Sequence, residues 1–125
     1  MTAAKVVDAS ALAALLFGEP EAEAVAAQLK GARLVAPGLL AFELANVCLM
    51  KCRRHPDQRE MLLAGFQLFA RLGVEEVAVD HVGVLQLAME TRLTAYDASY
   101  LYLSRQFGAE IVTFDKALAS AAALR

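Results

Sequence analysis

Four carboxylates give this chain its chemical potential: Asp8, Glu43, Asp97 and Asp115. They lie far apart in sequence, each inside a strongly apolar stretch. Burying a lone charge costs on the order of several kcal/mol or shifts its pKa until it is neutral. Four such residues therefore imply a shared partner, and the partner that suits carboxylate oxygens is a hard divalent cation such as Mg²⁺. Paired cations held between carboxylates are a recurrent device for cleaving phosphodiesters.

The four acids carry unequal weight. Asp8 closes Val6-Val7-Asp8 and precedes Ala9-Ser10-Ala11-Leu12, so it could simply cap a helix, a role worth about 1 kcal/mol. Ser10 is an equally good cap, which leaves Asp8 freer for a ligand. Asp97 follows Thr94-Ala95-Tyr96 and could serve a helix dipole, although Thr94 offers an alternative cap. Asp115, after Val112-Thr113-Phe114, has the same cap alternative. Glu43 resists that explanation. Between Pro37 and Met50 it is the only charged residue, and the only other strongly polar side chain is Asn46, three positions on and on the same helical face. A helix otherwise apolar all round is normally buried or at an interface.

Other chemistries are poorly served. His55 and His81 lack a nucleophile motif, and G-x-S-x-G, G-x-G-x-x-G and the P-loop pattern are all missing. Cys48, Cys52 and His55 fall at i, i+4 and i+7 but lack a fourth ligand, and Pro56 puts His55 at a helix end; these cysteines read as free thiols. Lys51, Arg53, Arg54 and His55 read as cations compensating a helix dipole. The remaining acids mostly sit beside polar residues and belong to solvated faces.

The elements that must position these acids alternate short β-type segments with longer helical ones. Lys5 to Asp8 reads as a strand and Ala9 to Phe17 as a helix; Glu21 to Leu29 is a second helix, Arg33 to Ala36 a strand, and Leu39 to Arg53 a helix. Asp57 to Leu72 repeats apolar residues at helical spacing. Val74 to Val79 reads as a strand, Asp80 to Thr91 as a helix opened by an acidic cap, Asp97 to Phe107 as a helix, Glu110 to Thr113 as a strand, and Lys116 onward as a last helix. Strands separated by helices imply parallel pairing, hence an α/β fold: a three-layer α/β/α sandwich around a short parallel sheet. Asp8 and Asp115 then fall at strand-to-helix junctions, where open α/β sheets bind ligands. Asp97 opens a helix, and Glu43, in the first turns of another, can lean over the same edge.

The 125 residues suit a single domain, 1–125, with no visible repeat or linker. The hydrophobic fraction of 58% exceeds that of an ordinary soluble domain, and the excess suggests an interface with another chain. Apolar runs are too short to span a bilayer, and acids flank Ala9 to Gly18 where a signal peptide would want basic residues. A cytoplasmic location with no membrane partner fits. The net charge of −2 counts against tight non-specific nucleic-acid binding, though not against an enzyme whose metals meet the phosphate.

With the acids in this order the chain resembles the PIN-domain ribonucleases, in particular the small VapC-type toxins of prokaryotic toxin–antitoxin pairs. The resemblance spans nearly the whole length. It rests on Val6-Val7-Asp8-Ala9-Ser10, Glu43-Leu44-Ala45-Asn46-Val47, Thr94-Ala95-Tyr96-Asp97-Ala98-Ser99-Tyr100-Leu101 and Val112-Thr113-Phe114-Asp115, of which the Tyr-Asp-Ala stretch is the most specific. It implies that Asp8, Glu43, Asp97 and Asp115 surround one or two Mg²⁺ or Mn²⁺ ions, with Ser10, Asn46 and Thr113 as polar helpers. It also implies hydrolysis of single-stranded or loop RNA by metal-activated water, homodimerisation, and inhibition by a cognate VapB-type antitoxin. Two departures stand out. Relatives usually continue past the last helix with a glycine and a short strand, so a sheet edge is expected to be missing or replaced. Glu90-Thr91-Arg92-Leu93 also lacks the glycine often found before the Tyr-Asp motif.

Two rival readings follow from the same residues. A non-catalytic interaction domain would work through the apolar surface; retention of all four acids argues against it. A phosphate-accepting receiver domain would want a second acid beside Asp8, and none is there. The helices Ala9 to Phe17 and Leu39 to Met50 are apolar enough that an antitoxin helix is expected to lie between them.

Overall fold

A computed structural model describes residues 2–124 of the chain. In order, the elements are β1 (Ala4–Val7), α1 (Ala9–Leu16), α2 (Ala22–Leu29), β2 (Arg33–Ala36), α3 (Leu39–Arg54), α4 (Arg59–Gln67), β3 (Glu75–Glu76), α5 (His81–Thr91), α6 (Ala95–Phe107), β4 (Glu110–Val112) and α7 (Lys116–Ala123). The strands form one parallel sheet in the order β3-β2-β1-β4. Val6 pairs with Val35 on one side and Ile111 on the other, and Val7 pairs with Val112.

Helices cover both faces of the sheet. Successive strand residues point to opposite faces, yet Val6 and Val7 are both fully buried, as are the neighbours Val35 and Ala36. Such strands read as continuous apolar runs because neither face meets water. Leu12, Leu44, Tyr100, Leu101, Leu103 and Leu118 complete one core from α1, α3, α6 and α7. The expected α/β sandwich is thus present.

Several expected elements differ in extent. The strand expected over Val74 to Val79 is shorter: β3, at the sheet edge, pairs with β2 at Glu75 and Glu76, both exposed, and one more bond runs from the Val77 N–H to the Ala36 carbonyl at 2.9 Å. The helix expected over Asp57 to Leu72 is α4 flanked by 3₁₀ turns at Pro56–Gln58 and Leu68–Arg71. Gly65 explains why α4 sits where it does: a methyl group there would meet the Leu16 carbonyl oxygen at 2.5 Å, so the glycine lets α4 approach the end of α1. Asp80 occupies the first cap position of α5 but makes no side-chain cap bond.

The partner helix expected between α1 and α3 finds no apolar gap of that kind. Ala9, Ala11, Leu12, Ala13 and Ala14 are already buried inside the protein, since α1 packs directly on α3 and α2. The exposed aliphatic surface lies instead on the later turns of α3 and on α4 and α5.

Candidate active site

Asp8 is the fixed point of the site. It follows β1, takes an extended backbone at the cap position of α1, and accepts the Ala11 N–H at 3.1 Å through Oδ1. Ser10 does not relieve it of that role, because Ser10 is already inside the first turn. Its hydroxyl donates to Asp8 Oδ1 at 2.7 Å, and the Phe114 N–H donates to Ser10 Oγ at 2.9 Å. Thr113, just past β4, donates its hydroxyl to Asp8 Oδ2 and accepts the Asp115 N–H at 2.9 Å. Parallel pairing of β1 with β4 makes these contacts possible, since it brings Val7 beside Val112 and so places the two strand ends together.

Asp115 caps α7, accepting the Leu118 N–H at 2.9 Å through Oδ1. Asp97 lies in the first turn of α6, where Thr94 serves as the cap and accepts the Asp97 N–H at 3.1 Å. The Asp97 carboxylate is therefore spared capping duty. Glu43, half-buried in the second turn of α3, accepts a 2.6 Å hydrogen bond at Oε1 from the Tyr100 hydroxyl of α6. Asn46 is exposed and makes no hydrogen bond to any of the acids among the described residues. Six of the seven expected side chains thus gather at the carboxyl edge of the sheet, and Asn46 lies on the same helix as Glu43 without a hydrogen bond to it among the described residues.

Charge ties the four acids together across their separate elements. Burial holds the Glu43 carboxyl above its ordinary pKa; the Tyr100 hydrogen bond opposes this, and the negative charges of Asp97 and Asp8 add to it. Burial likewise raises Asp97, reinforced by the charges of Asp115 and Asp8. None of the four is paired with Lys, Arg or His among the described residues. Neighbouring carboxylate oxygens with no counter-ion among the described residues suit a hard divalent cation. They do not form a ready-made cage, since no group of three His, Cys, Asp or Glu side chains among the described residues has metal-binding geometry. Donors of this kind can close on a cation whose remaining positions are filled by water and phosphate. A cleft of about 850 Å³ between α6, β4 and α7 reaches Thr113.

Tyr100 is the site residue that sequence reasoning missed. Its side chain is 1% exposed, and burial first, then the Glu43 hydrogen bond, pushes its hydroxyl far above the usual tyrosine range. It stays a neutral donor at any ordinary pH. A signal was available: Tyr100 lies three residues after Asp97 in an apolar helix, and a buried tyrosine needs a partner for its hydroxyl.

Fold and site together define a class. The PIN domain model matches residues 5–124. Ribonuclease VapC3 of Pyrobaculum aerophilum is 34% identical over 119 residues, 91% of each chain. A crystal structure of PAE2754 from the same organism superposes with a TM-score of 0.79 at 26% identity, covering 98% of this chain and 87% of the other. The chain belongs to the PIN-domain family, among its VapC-type members.

Proposed function

We propose that the protein is a metal-dependent endoribonuclease, the toxin of a type II toxin–antitoxin pair, and that one PIN domain occupying the chain carries the activity. The observation that supports this most is the gathering of four mutually repelling carboxylates, without an ion-pair partner among the described residues, at one sheet edge. Asp8, Asp97 and Asp115 would hold Mg²⁺ or Mn²⁺ directly or through water, with Glu43 as a further ligand or as the group that orients the attacking water. A cation bound there supplies acidified water and offsets the charge that builds on the phosphate.

The remaining work falls to the chain itself. Ser10 and Thr113 fix both oxygens of Asp8, so that its remaining lone pairs keep one direction. Tyr100 holds Glu43 Oε1, leaving Oε2 to accept a proton from water attacking the phosphorus in line. A cognate VapB-type antitoxin and a second copy of the chain are the expected protein partners, and the exposed aliphatic side chains of α3, α4 and α5 offer surface for them. No helix among the described residues is long and apolar enough to cross a membrane; we place the protein in the cytoplasm with its RNA substrate.

Purified protein should cleave single-stranded RNA, lose the activity in EDTA and regain it with Mg²⁺ or Mn²⁺. Glu43→Gln and Asp97→Asn should each abolish cleavage without loss of the folded circular dichroism spectrum. Full activity in either variant, or activity indifferent to EDTA, contradicts the assignment.

A further inference from the structure

The exposed large apolar side chains divide by chemistry and by place. The aliphatic ones lie on the later turns of α3, on α4 and the turn after it, on α5, and at Leu124. The aromatic ones are three: Phe42, 82% exposed, Tyr96, 66%, and Phe114, 48%. Every other Phe and Tyr is buried or half-buried. Each exposed aromatic immediately precedes one of the acids, Phe42 before Glu43, Tyr96 before Asp97 and Phe114 before Asp115.

Their elements bring them to one edge. Phe42 lies in the first turns of α3, directly after β2, and Phe114 lies in the connection that leaves β4. β2 and β4 flank β1 in parallel, so both connections emerge on the edge where Asp8 sits. Tyr96 is in the first turn of α6, beside Asp97, which feels the charges of Asp115 and Asp8.

Leaving such a side chain in water forgoes roughly 1.5–3 kcal/mol of burial, so three at one edge point to a ligand that covers them. The chemistry of that ligand follows from what the edge lacks. The chain has net charge −2, none of the four site acids is ion-paired among the described residues, and Lys116, beside Asp115, is the cation next to them in sequence, so phosphate neutralisation offers limited grip on a polyanion. Aromatic rings grip nucleic acid differently, by stacking on base faces, and only unpaired bases offer those faces.

We propose that Phe42, Tyr96 and Phe114 form a stacking platform that takes unpaired bases of single-stranded RNA on either side of the phosphate presented to the acids. The proposal rests on the ribonuclease reading and deepens it, because it names the residues that select unpaired RNA. It also predicts that binding depends only weakly on salt.

Fluorescence anisotropy of a labelled single-stranded oligoribonucleotide in EDTA tests it, since cleavage is then absent and carboxylate repulsion is common to all variants. Phe42→Ala, Tyr96→Ala and Phe114→Ala should each weaken binding about 5- to 150-fold. Leucine at these positions should not restore it, whereas Tyr96→Phe and Phe114→Tyr should bind within a few-fold of the unaltered protein. A duplex of the same sequence should bind weakly and be indifferent to the variants. All three side chains are exposed, so the melting temperature should barely move. Unchanged binding in the alanine variants overturns the platform. So does full restoration by leucine, which would mean that general apolar contact and not ring stacking holds the RNA. A parallel cleavage assay with Mn²⁺ separates the two readings: cleavage by the unaltered protein with aromatic-independent binding overturns the platform alone. Aromatic-dependent binding without any cleavage supports the platform and removes the ribonuclease reading alone.

Discussion

The Glu43–Tyr100 pair shows how one residue can be costly and useful at once. Glu43 and Asp97 have raised pKa values in the folded protein, so folding binds protons more tightly than the unfolded chain does. The stability these groups contribute is fully present below their unfolded pKa values, near pH 4, and is lost as the pH rises through the raised folded values. At neutral pH without metal both therefore weigh against the fold. Glu43→Gln should raise the metal-free melting temperature at pH 7, and the gain should vanish below about pH 4. A metal-free variant that melts below the unaltered protein at pH 7 would contradict the electrostatic account. Tyr100→Phe acts in the other direction. It removes a buried hydrogen bond to a charged group, worth about 1.5–3 kcal/mol, and should lower urea stability by that order. If the hydroxyl also aims Glu43, kcat should fall about 10–100-fold with KM for RNA little changed; unchanged kcat would leave Tyr100 a purely structural residue.

At the level of elements, the α5–α6 junction carries a strain that its sequence hinted at. Arg92 ends α5 in the left-handed region at φ 63°, at a position where glycine is the comfortable residue. An L side chain there costs roughly 1–2 kcal/mol, and glycine returns part of that gain through a more flexible unfolded chain. Arg92→Gly should therefore stabilise the protein by up to about 1 kcal/mol in urea denaturation; a loss would mean that the arginine side chain makes a compensating contact. The departure noted in Glu90-Thr91-Arg92-Leu93 thus marks real geometry. Most elements were legible for a similar local reason: Gly and Pro punctuate them, and Val6-Val7 and Ile111-Val112 announce buried strands. What escaped was non-local. Nothing in Val74 to Val79 says how short the paired stretch is, and nothing near Asp57 to Leu72 reveals the close approach at Gly65. The four acids were visible because charge in apolar surroundings needs a reason. The Tyr100 bond was not, because its partner lies 57 residues away. Asn46, implied by the resemblance and on the same helical face as Glu43, makes no hydrogen bond to it among the described residues, and a shared face alone could not have told that.

For the molecule as a whole, four repelling carboxylates predict that cation binding and folding are linked. Any ion that binds only the folded state stabilises it, by about 2.7 kcal/mol at one hundred times its Kd. Millimolar Mn²⁺ should raise the melting temperature by several degrees, and Asp97→Asn should blunt the shift; a melting temperature unmoved by Mn²⁺ would count heavily against a shared metal. The sheet order adds a constraint of a different kind. Asp8 stands near the start of the chain, while Thr113, which holds its second oxygen, lies 105 residues later. β4, which brings the two together, is the last strand in sequence and pairs with the first. A nascent chain emerging from the ribosome therefore has its first acid in place long before the hydroxyl and strand that orient it, and long before Asp115 exists. The acid cluster is thus complete only once the segment carrying β4 and Asp115 has been made, however early Asp8 appears.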